Sequence, residues 1–306
     1  MEQTDLPTLL TQLGDDRTQD TAESALQALG PSVVPQLLAI RRDGPARLRR
    51  PALHALTHLG AGAELTGRDR AAVERLVRIK LGRDTLARDD RFLDANWPEI
   101  WIAVRAAPDL TPLFDVLGLH DPVPATLAMG MTALVADRSH DTYASGGTSG
   151  PTRTFVTPEI DGWRLVLGPA VNGLMYEDPG PHRLERLSEL FGEVHYYASG
   201  SYDECDQAWA VAENGRLVRR YHFYGDPVWS GDPLPWEDVP QEGDDDWQYT
   251  RDTPGASLQD HARDVAELRT VDPETIEDDT PRTGHGWLAV DAPGVGHWSF
   301  PGALTI

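Results

Sequence analysis

Two different spacings of apolar residues divide the chain into a helical part and a mixed part. Between residues 20 and 83, leucine and valine recur at intervals of three and four, as in "SALQALGPSVVPQLLAIRRDG" (24–44). This spacing is typical of one face of an α-helix. From residue 154 onward, apolar and polar residues alternate, as in "TFVTPEI" (154–160), which predicts β-strands. The sequence therefore predicts an α+β protein.

The helical part contains a short internal repeat. The segments "ALQALG" and "ALTHLG" recur thirty residues apart and end at Gly30 and Gly60, and glycine favours the left-handed conformation that ends helices. The segments follow one another as a Leu-rich helix, a glycine break, a second helix "VVPQLLAI", and then "RDGPARLRRPALHAL", which opens the next unit. This order resembles HEAT-type repeats over residues 20–83. The resemblance implies a short stack of antiparallel helix pairs. Further helices predicted at 97–107 and 124–137 extend this block over residues 1–138.

A change of composition separates this block from the rest of the chain. Residues 139–153 are rich in Gly, Ser and Thr, which predicts a linker. Residues 154–306 then predict an acidic α+β domain. Its elements follow the order ββαβββ, with a mostly antiparallel sheet and a helix on one side. The predicted strands and helix are 154–160, 162–168, helix 182–192, 193–199 and the two strands of the 208–224 segment.

The segment "AWAVAENGRLVRRYHFY" (208–224) predicts a β-hairpin that turns at Asn214-Gly215. A two-residue turn pairs Glu213 with Arg216, and an unbroken register then pairs Trp209 with Arg220 as a cation–π contact. In that register the alanines of the first strand lie on one face, against helix 182–192. Arg219 shares that face and is expected to extend to its rim. The opposite face is predicted to hold Trp209, Val211, Val218, Arg220, His222 and Tyr224.

The charge is large and unevenly distributed. The net charge is −22, and residues 141–306 hold 11 basic and 30 acidic residues. An acidic half of this size repels phosphate backbones, so nucleic-acid binding through it is not expected. It favours a basic partner protein instead. The start "MEQTDLPTLL" does not have the pattern of a signal peptide, and the longest weakly polar run (124–136) is too short for a bilayer. We expect a cytoplasmic protein with no membrane contact.

Motifs for known chemistry are missing from the sequence. The single cysteine, Cys205, excludes intrachain disulfides, and its acidic neighbours disfavour a nucleophilic thiolate. His54 and His58 have the spacing of metal ligands on a helix, but packing explains both. No phosphate loop, dinucleotide fingerprint or G-x-S-x-G motif is present. We therefore assign no catalytic residue, metal ligand or cofactor.

The candidate binding residues are Trp209, Arg220, His222 and Tyr224, extended by Tyr197 on the preceding strand. Aromatic residues and arginine are the usual anchors of interfaces. One interpretation is that the protein's own elements cover this face; the other is a contact surface. We predict a non-catalytic interaction module, with an immunity-like or inhibitory role, that binds a partner protein through the acidic domain. The alternative is an enzyme or small-molecule binder with its pocket between the helical block and the sheet.

The C-terminal half also resembles a group of uncharacterised actinobacterial proteins. The likeness rests on the segments "VTPEIDGW", "FGEV", "YYA", "AWAVAENGRLVR" and "VDPET". No function is known for that group, so the resemblance implies none for this chain. The oligomeric state is likewise left open by the sequence.

Overall fold

The structure of the protein is a computed structural model. It describes residues 5–82 except 14 and 16, and residues 99–143, 151–176, 179–200, 207–224, 226–239, 256–277 and 280–300. The chain forms two compact units. The helical unit comprises Met1–Asp84, Met131–Pro151 and Gly294–Ile306, and the sheet unit comprises Thr85–Gly130 and Thr152–Pro293.

The helical unit is built from helices joined by short turns. Its helices are α1 (Leu6–Gln12), α2 (Gln19–Leu29), α3 (Val34–Asp43), α4 (Ala46–His58) and α5 (Gly67–Leu81). Gly30 and Gly60 have φ angles of 62° and 69°, so the predicted glycine breaks are confirmed. Helices α3 and α4 pack against each other, and α1 and α2 contact α4. The core consists mainly of buried leucines, including Leu10, Leu26, Leu37 and Leu56.

A segment from the C-terminal end of the chain completes the core of the helical unit. His297–Ser299 forms a 3₁₀ turn, and the Trp298 ring packs against the buried leucines. The carbonyl of Trp298 lies so close to Gly62 that a Cβ there would overlap it. This segment lies within residues 154–306, predicted as the α+β domain, because periodicity does not show where a single aromatic anchor packs.

The sheet unit contains an antiparallel sheet flanked by helices. The strands are β1 (Ile100–Arg105), β2 (His120–Ala125), β3 (Arg153–Val156), β4 (Glu159–Ile160), β5 (Trp163–Leu167), β6 (Glu193–Ser199), β7 (Gln207–Glu213), β8 (Arg216–Tyr224), β9 (Asp226–Ser230), β10 (Arg282–Thr283) and β11 (Gly286–Val290). The helices are α6 (Thr111–Leu117), α7 (Leu127–Tyr143), which continues into the helical unit, α8 (Gly180–Phe191) and α9 (Ala262–Arg269).

The strands of the sheet follow the order β2-β11-β3-β5-β1-β6-β7-β8-β9. The short strands β4 and β10 pair beside β5. The predicted order ββαβββ is present as β3, β5, α8, β6, β7 and β8.

The prediction of a helix at 97–107 is wrong. Residues Ile100–Arg105 form β1, which lies between β5 and β6 in the middle of the sheet. Its central residues are buried on both faces, and such a strand is a continuous apolar run without alternation. Residues 100–125, predicted as part of the helical block, therefore belong to the sheet unit. The helix predicted at 124–137 is present as α7, which begins at Leu127 after β2.

The predicted linker at 139–153 differs from the structure at both of its ends. Helix α7 continues through Tyr143, and Arg153 already opens β3. Residues 144–150 lie outside the described part of the chain.

The two faces of the sheet have different coverings. Helices α6 and α8 cover what we call the helix face, where Leu113, Leu184 and Leu187 pack with the alanines of β7. The opposite face, which we call the aromatic face, carries a row of register partners: Trp101, Tyr197, Trp209 and Tyr221. Helix α9 packs on this second face against β6 and β7.

Prolines mark both edges of the sheet. Pro122 and Pro124 lie in edge strand β2, and Pro227 lies in edge strand β9. Proline has no N–H to donate to a neighbouring strand, so it is tolerated at edges and interrupts pairing there. Among the helices that the structure describes, none is long and apolar enough to cross a membrane.

Candidate functional site

The predicted hairpin turn is confirmed. Asn214 and Gly215 have φ angles of 47° and 84°, as a type I′ turn requires at both central residues. Glu213 pairs with Arg216 and Ala212 with Leu217, as the two-residue turn predicts. Helix α8 packs against the alanines of β7, and its Ser188 hydroxyl accepts a 3.0 Å hydrogen bond from the Gly215 amide.

The predicted register fails beyond Leu217 because the second strand contains a bulge. Val211 pairs with Arg219 and Trp209 pairs with Tyr221, so Val218 is the extra residue. The predicted contact between Trp209 and Arg220 is therefore wrong. A bulge of one residue exchanges the faces of every later side chain, which moves Arg219 to the aromatic face and Arg220 to the helix face.

Arg219 is buried and does not extend to the rim. Its guanidinium donates from Nε and Nη2 to the Glu237 carboxylate at 2.9 and 2.7 Å, and both side chains have 0% exposure. Nη1 donates to the Gly231 carbonyl at 2.7 Å, and the guanidinium lies 4.6 Å from the centre of the Trp229 ring. A bidentate pair with further donors satisfied is the arrangement that compensates the burial of both charges.

Trp209 and Tyr197 are fully buried under other parts of the sheet unit. The Trp209 indole N–H donates to the Gln259 carbonyl at 2.7 Å. The ring centres of Trp229 and Trp236 lie 5.8 and 5.7 Å from that of Trp209. At this part of the hairpin, the protein's own residues cover the face that the sequence analysis proposed for binding.

Tyr197 belongs to a buried hydrogen-bond chain on β6. Glu193 Oε1 lies 2.8 Å from His195 Nε2, and Tyr197 Oη lies 3.0 Å from His195 Nδ1. The Thr270 hydroxyl donates to the Tyr197 oxygen at 3.0 Å. A neutral imidazole has one donor and one acceptor, so His195 donates to Glu193 and accepts from Tyr197. The alternation of residues 193, 195 and 197 could have indicated a shared face, but not the contact with Thr270.

Burial and pairing set the protonation states in this chain. Burial lowers the pKa of His195 below its ordinary value, although the Glu193 carboxylate opposes that effect. The hydrogen bond from His195, together with Arg105, lowers the pKa of Glu193 to about 2. Arg105 Nη2 lies 2.8 Å from Glu193 Oε2. The guanidinium carbon of Arg105 lies over the Trp163 ring, 3.9 Å from the ring centre. The hydrogen-bond chain thus consists of a neutral histidine between a carboxylate and a phenol. The side chains of His195 and Tyr197 have no exposed surface.

The other predicted binding residues lie near edge strand β9. His222 pairs with Val228, and Arg220 pairs with Ser230. The Tyr176 ring meets the His222 ring edge to face, with centres 5.8 Å apart. Tyr176 and Val228 are 55% and 40% exposed, and Arg220 and His222 are half-buried. We call Tyr176, Arg220, His222 and Val228 the edge patch. The side chain of the remaining candidate, Tyr224, lies outside the described residues.

A cleft of about 810 Å³ lies beside α6, at one end of the helix face. We call it the Arg164 cleft. Its walls come from the loop before α6, the start of β2, strands β4 and β5, and the segment between β10 and β11. The sequence does not predict this site, because its residues come from parts of the chain more than one hundred positions apart. The only local signal was the Gly-rich setting of His285 and Trp287.

The remaining chemical candidates do not form a site in the described structure. His54 is half-buried on α4. The side chain of His58 and all of Cys205 lie outside the described residues. Within the described ranges, no group of at least three His, Cys, Asp or Glu residues is arranged to hold a metal ion.

Comparison with known proteins gives no relative for this chain. No family model, no curated protein and no solved structure matches it.

Proposed function

We propose that the protein is a non-catalytic binding protein that recognises a partner protein through the edge patch. The observation that carries this proposal is the 55% exposure of Tyr176, whose ring meets the His222 ring edge to face. Tyrosine and arginine are residue types that anchor protein interfaces, and the exposed Val228 adds apolar surface beside them. Arg220 and His222, which the sequence analysis selected, retain this role in the proposal.

The charges around the edge patch favour a basic partner. Asp226 and Asp232 are exposed at and just beyond the ends of β9, and the chain as a whole has a net charge of −22. Acidic groups around an aromatic centre accelerate the approach of a basic protein and disfavour acidic competitors. An immunity-like, inhibitory role is the form of the proposal that this charge supports, with the protein capturing a basic effector.

The alternative prediction, an enzyme or small-molecule binder, has its pocket between the helical block and the sheet, with Trp209 among the lining residues. Trp209 is covered by the Gln259 segment and by Trp229 and Trp236 of the same unit, so it does not line an open site. Binding of a small molecule is better supported at the Arg164 cleft, because this cleft is concave and its lining residues are partly polar.

Affinity purification from the cells that express the chain, followed by titration of the purified partner, tests the proposal. The Tyr176→Ser/Val228→Ser variant should weaken binding by about tenfold or more, as expected for loss of interface anchors. Leu268→Ser is the matched control, because Leu268 is also 55% exposed but lies on α9. A partner that binds the patch variant and the control with equal affinity would show that the edge patch is not the interface.

A further inference from the structure

The guanidinium of Arg164 lines the cleft with part of its hydrogen-bonding capacity unused. Nη1 donates to the carbonyls of Thr157 and His285 at 2.7 and 3.2 Å, and these bonds fix the orientation of the side chain. Nε is buried, and neither Nε nor Nη2 has a hydrogen-bond partner among the described residues. A buried donor such as Nε is normally paired, and the N–H groups of Nη2 can donate charge-assisted hydrogen bonds to a carboxylate.

Four acidic residues line the cleft together with Arg164. Asp109, Asp115, Asp121 and Glu159 line the same cleft, and the Glu159 carboxylate interacts electrostatically with Arg164. Four carboxylates against one arginine disfavour a ligand with two negative charges, such as phosphate. They favour a ligand that places a positive group opposite the acids while its own carboxylate contacts Arg164.

The rest of the cleft is apolar or aromatic. Phe114, Leu110 and Leu119 contribute buried surface, and the rings of His285 and Trp287 lie 5.1 Å apart. The volume of about 810 Å³ lies within the range of small-molecule sites. The cleft can therefore hold a hydrocarbon or aromatic group beside the polar contacts.

We propose that the Arg164 cleft binds an amino acid in its zwitterionic form with an apolar side chain. The carboxylate would contact Nη2 of Arg164, the ammonium group would face the acidic residues, and the side chain would lie against Trp287 and Phe114. This site is separate from the edge patch and does not depend on the partner proposed for that patch.

Titration of the full chain with L-phenylalanine tests the inference, with binding followed by calorimetry and by ligand-observed NMR. Three further probes each change one feature: 3-phenylpropionate lacks the ammonium group, phenethylamine lacks the carboxylate, and inorganic phosphate is a different anion. L-phenylalanine should bind more tightly than all three. Failure of L-phenylalanine to bind at millimolar concentration, or equal binding of any of the three other probes, would overturn the proposal.

Two variants locate the binding within the cleft. Arg164→Gln should weaken L-phenylalanine binding by about tenfold or more, since it removes a charged donor pair. Asp115→Asn should weaken it to a smaller extent; Asp115 is exposed, so this variant remains informative if Arg164→Gln does not fold. The matched control is Arg186→Gln, which removes one exposed positive charge on α8, outside the cleft. Unchanged affinity in Asp115→Asn and in a folded Arg164→Gln protein would place the ligand elsewhere.

Discussion

The hydroxyl of Tyr197 lies 3.0 Å from Nδ1 of His195, and both side chains are fully buried. The neighbouring residue on the same strand, Tyr196, is also buried, but its hydroxyl has no hydrogen-bond partner among the described residues. Two adjacent tyrosines on opposite faces of β6 thus differ in whether their polar atom is paired.

This difference predicts that replacing tyrosine by phenylalanine affects the stability of the protein differently at the two positions. Tyr197→Phe leaves the acceptor of His195 unpaired and should lower the free energy of unfolding by about 1–3 kcal/mol. Tyr196→Phe removes a hydroxyl without a described partner and should be neutral or stabilising. Urea unfolding of both variants measures the effect. Equal destabilisation by the two substitutions would contradict a specific role for the His195 contact.

The buried His195 predicts a loss of stability in mild acid. Its pKa is lowered below its ordinary value of 6.5, so the unfolded chain binds a proton that the folded chain does not. The free energy of unfolding should therefore fall as the pH drops below about 6.5. The pKa of Glu193 is lowered to about 2. The protein should therefore lose further stability as the pH falls below the ordinary pKa of a glutamate carboxyl group.

Denaturant midpoints measured from pH 7.5 down to pH 4 can separate these contributions. The His195→Gln variant should be less stable at neutral pH and should lose less stability between pH 7 and pH 5.5. The sign follows because glutamine binds no proton in either state. Parallel curves for the variant and the wild type would assign the pH dependence to other groups, such as His222, whose pKa burial also lowers.

The ion pair between Arg219 and Glu237 should behave as a unit. Arg219→Met leaves the fully buried Glu237 carboxylate without its partner and should destabilise the protein by about 3–5 kcal/mol. The double variant Arg219→Met/Glu237→Gln should be more stable than Arg219→Met alone, since it leaves no buried charge unpaired. A double-mutant cycle by urea unfolding gives the coupling energy. A coupling near zero would show that the pair is solvated in solution.

Two glycines of the helical unit should respond in opposite directions to alanine. At Gly62 a Cβ would overlap the Trp298 carbonyl, so Gly62→Ala should destabilise the unit by about 1–3 kcal/mol. At Gly67, the first residue of α5, nothing lies near the added atom. Gly67→Ala should stabilise by about 0.4–1 kcal/mol through the entropy of the unfolded chain. Thermal unfolding tests the pair, and a neutral Gly62→Ala would mean that Trp298 does not pack there in solution.

Local signals in the sequence predicted local structure, and features that depend on distant contacts were missed. Asn214-Gly215 determines its own turn geometry, and Gly30 and Gly60 determine the ends of their helices, so these predictions are confirmed. The bulge at Val218 depends on pairing with β7 and β9, and no dipeptide signal marks it. β1 was predicted as a helix because its two neighbouring strands come from residues far along the chain.

The candidate sites show the same limit. The sequence analysis selected Arg220 and His222, which remain partly exposed, but not Tyr176, which contacts His222 across a gap of 46 positions. It also selected Trp209 and Tyr197, which are buried because α9 and the residues before it cover them. Aromatic residues on a strand indicate a packed face, and only the tertiary structure shows what packs on it.

The prolines in the two edge strands bear on how this protein can meet others. An unprotected edge strand could pair with an extended segment of almost any chain, because backbone hydrogen bonds depend little on the sequence. Part of that pairing is prevented at both edges, because proline has no N–H to donate. These prolines are Pro122 and Pro124 at one edge and Pro227 at the other. The recognition that we propose at the β9 edge would then depend on side chains, which discriminate between partners better than backbone pairing does. The same prolines would thus disfavour edge-to-edge association and favour selectivity at the edge patch.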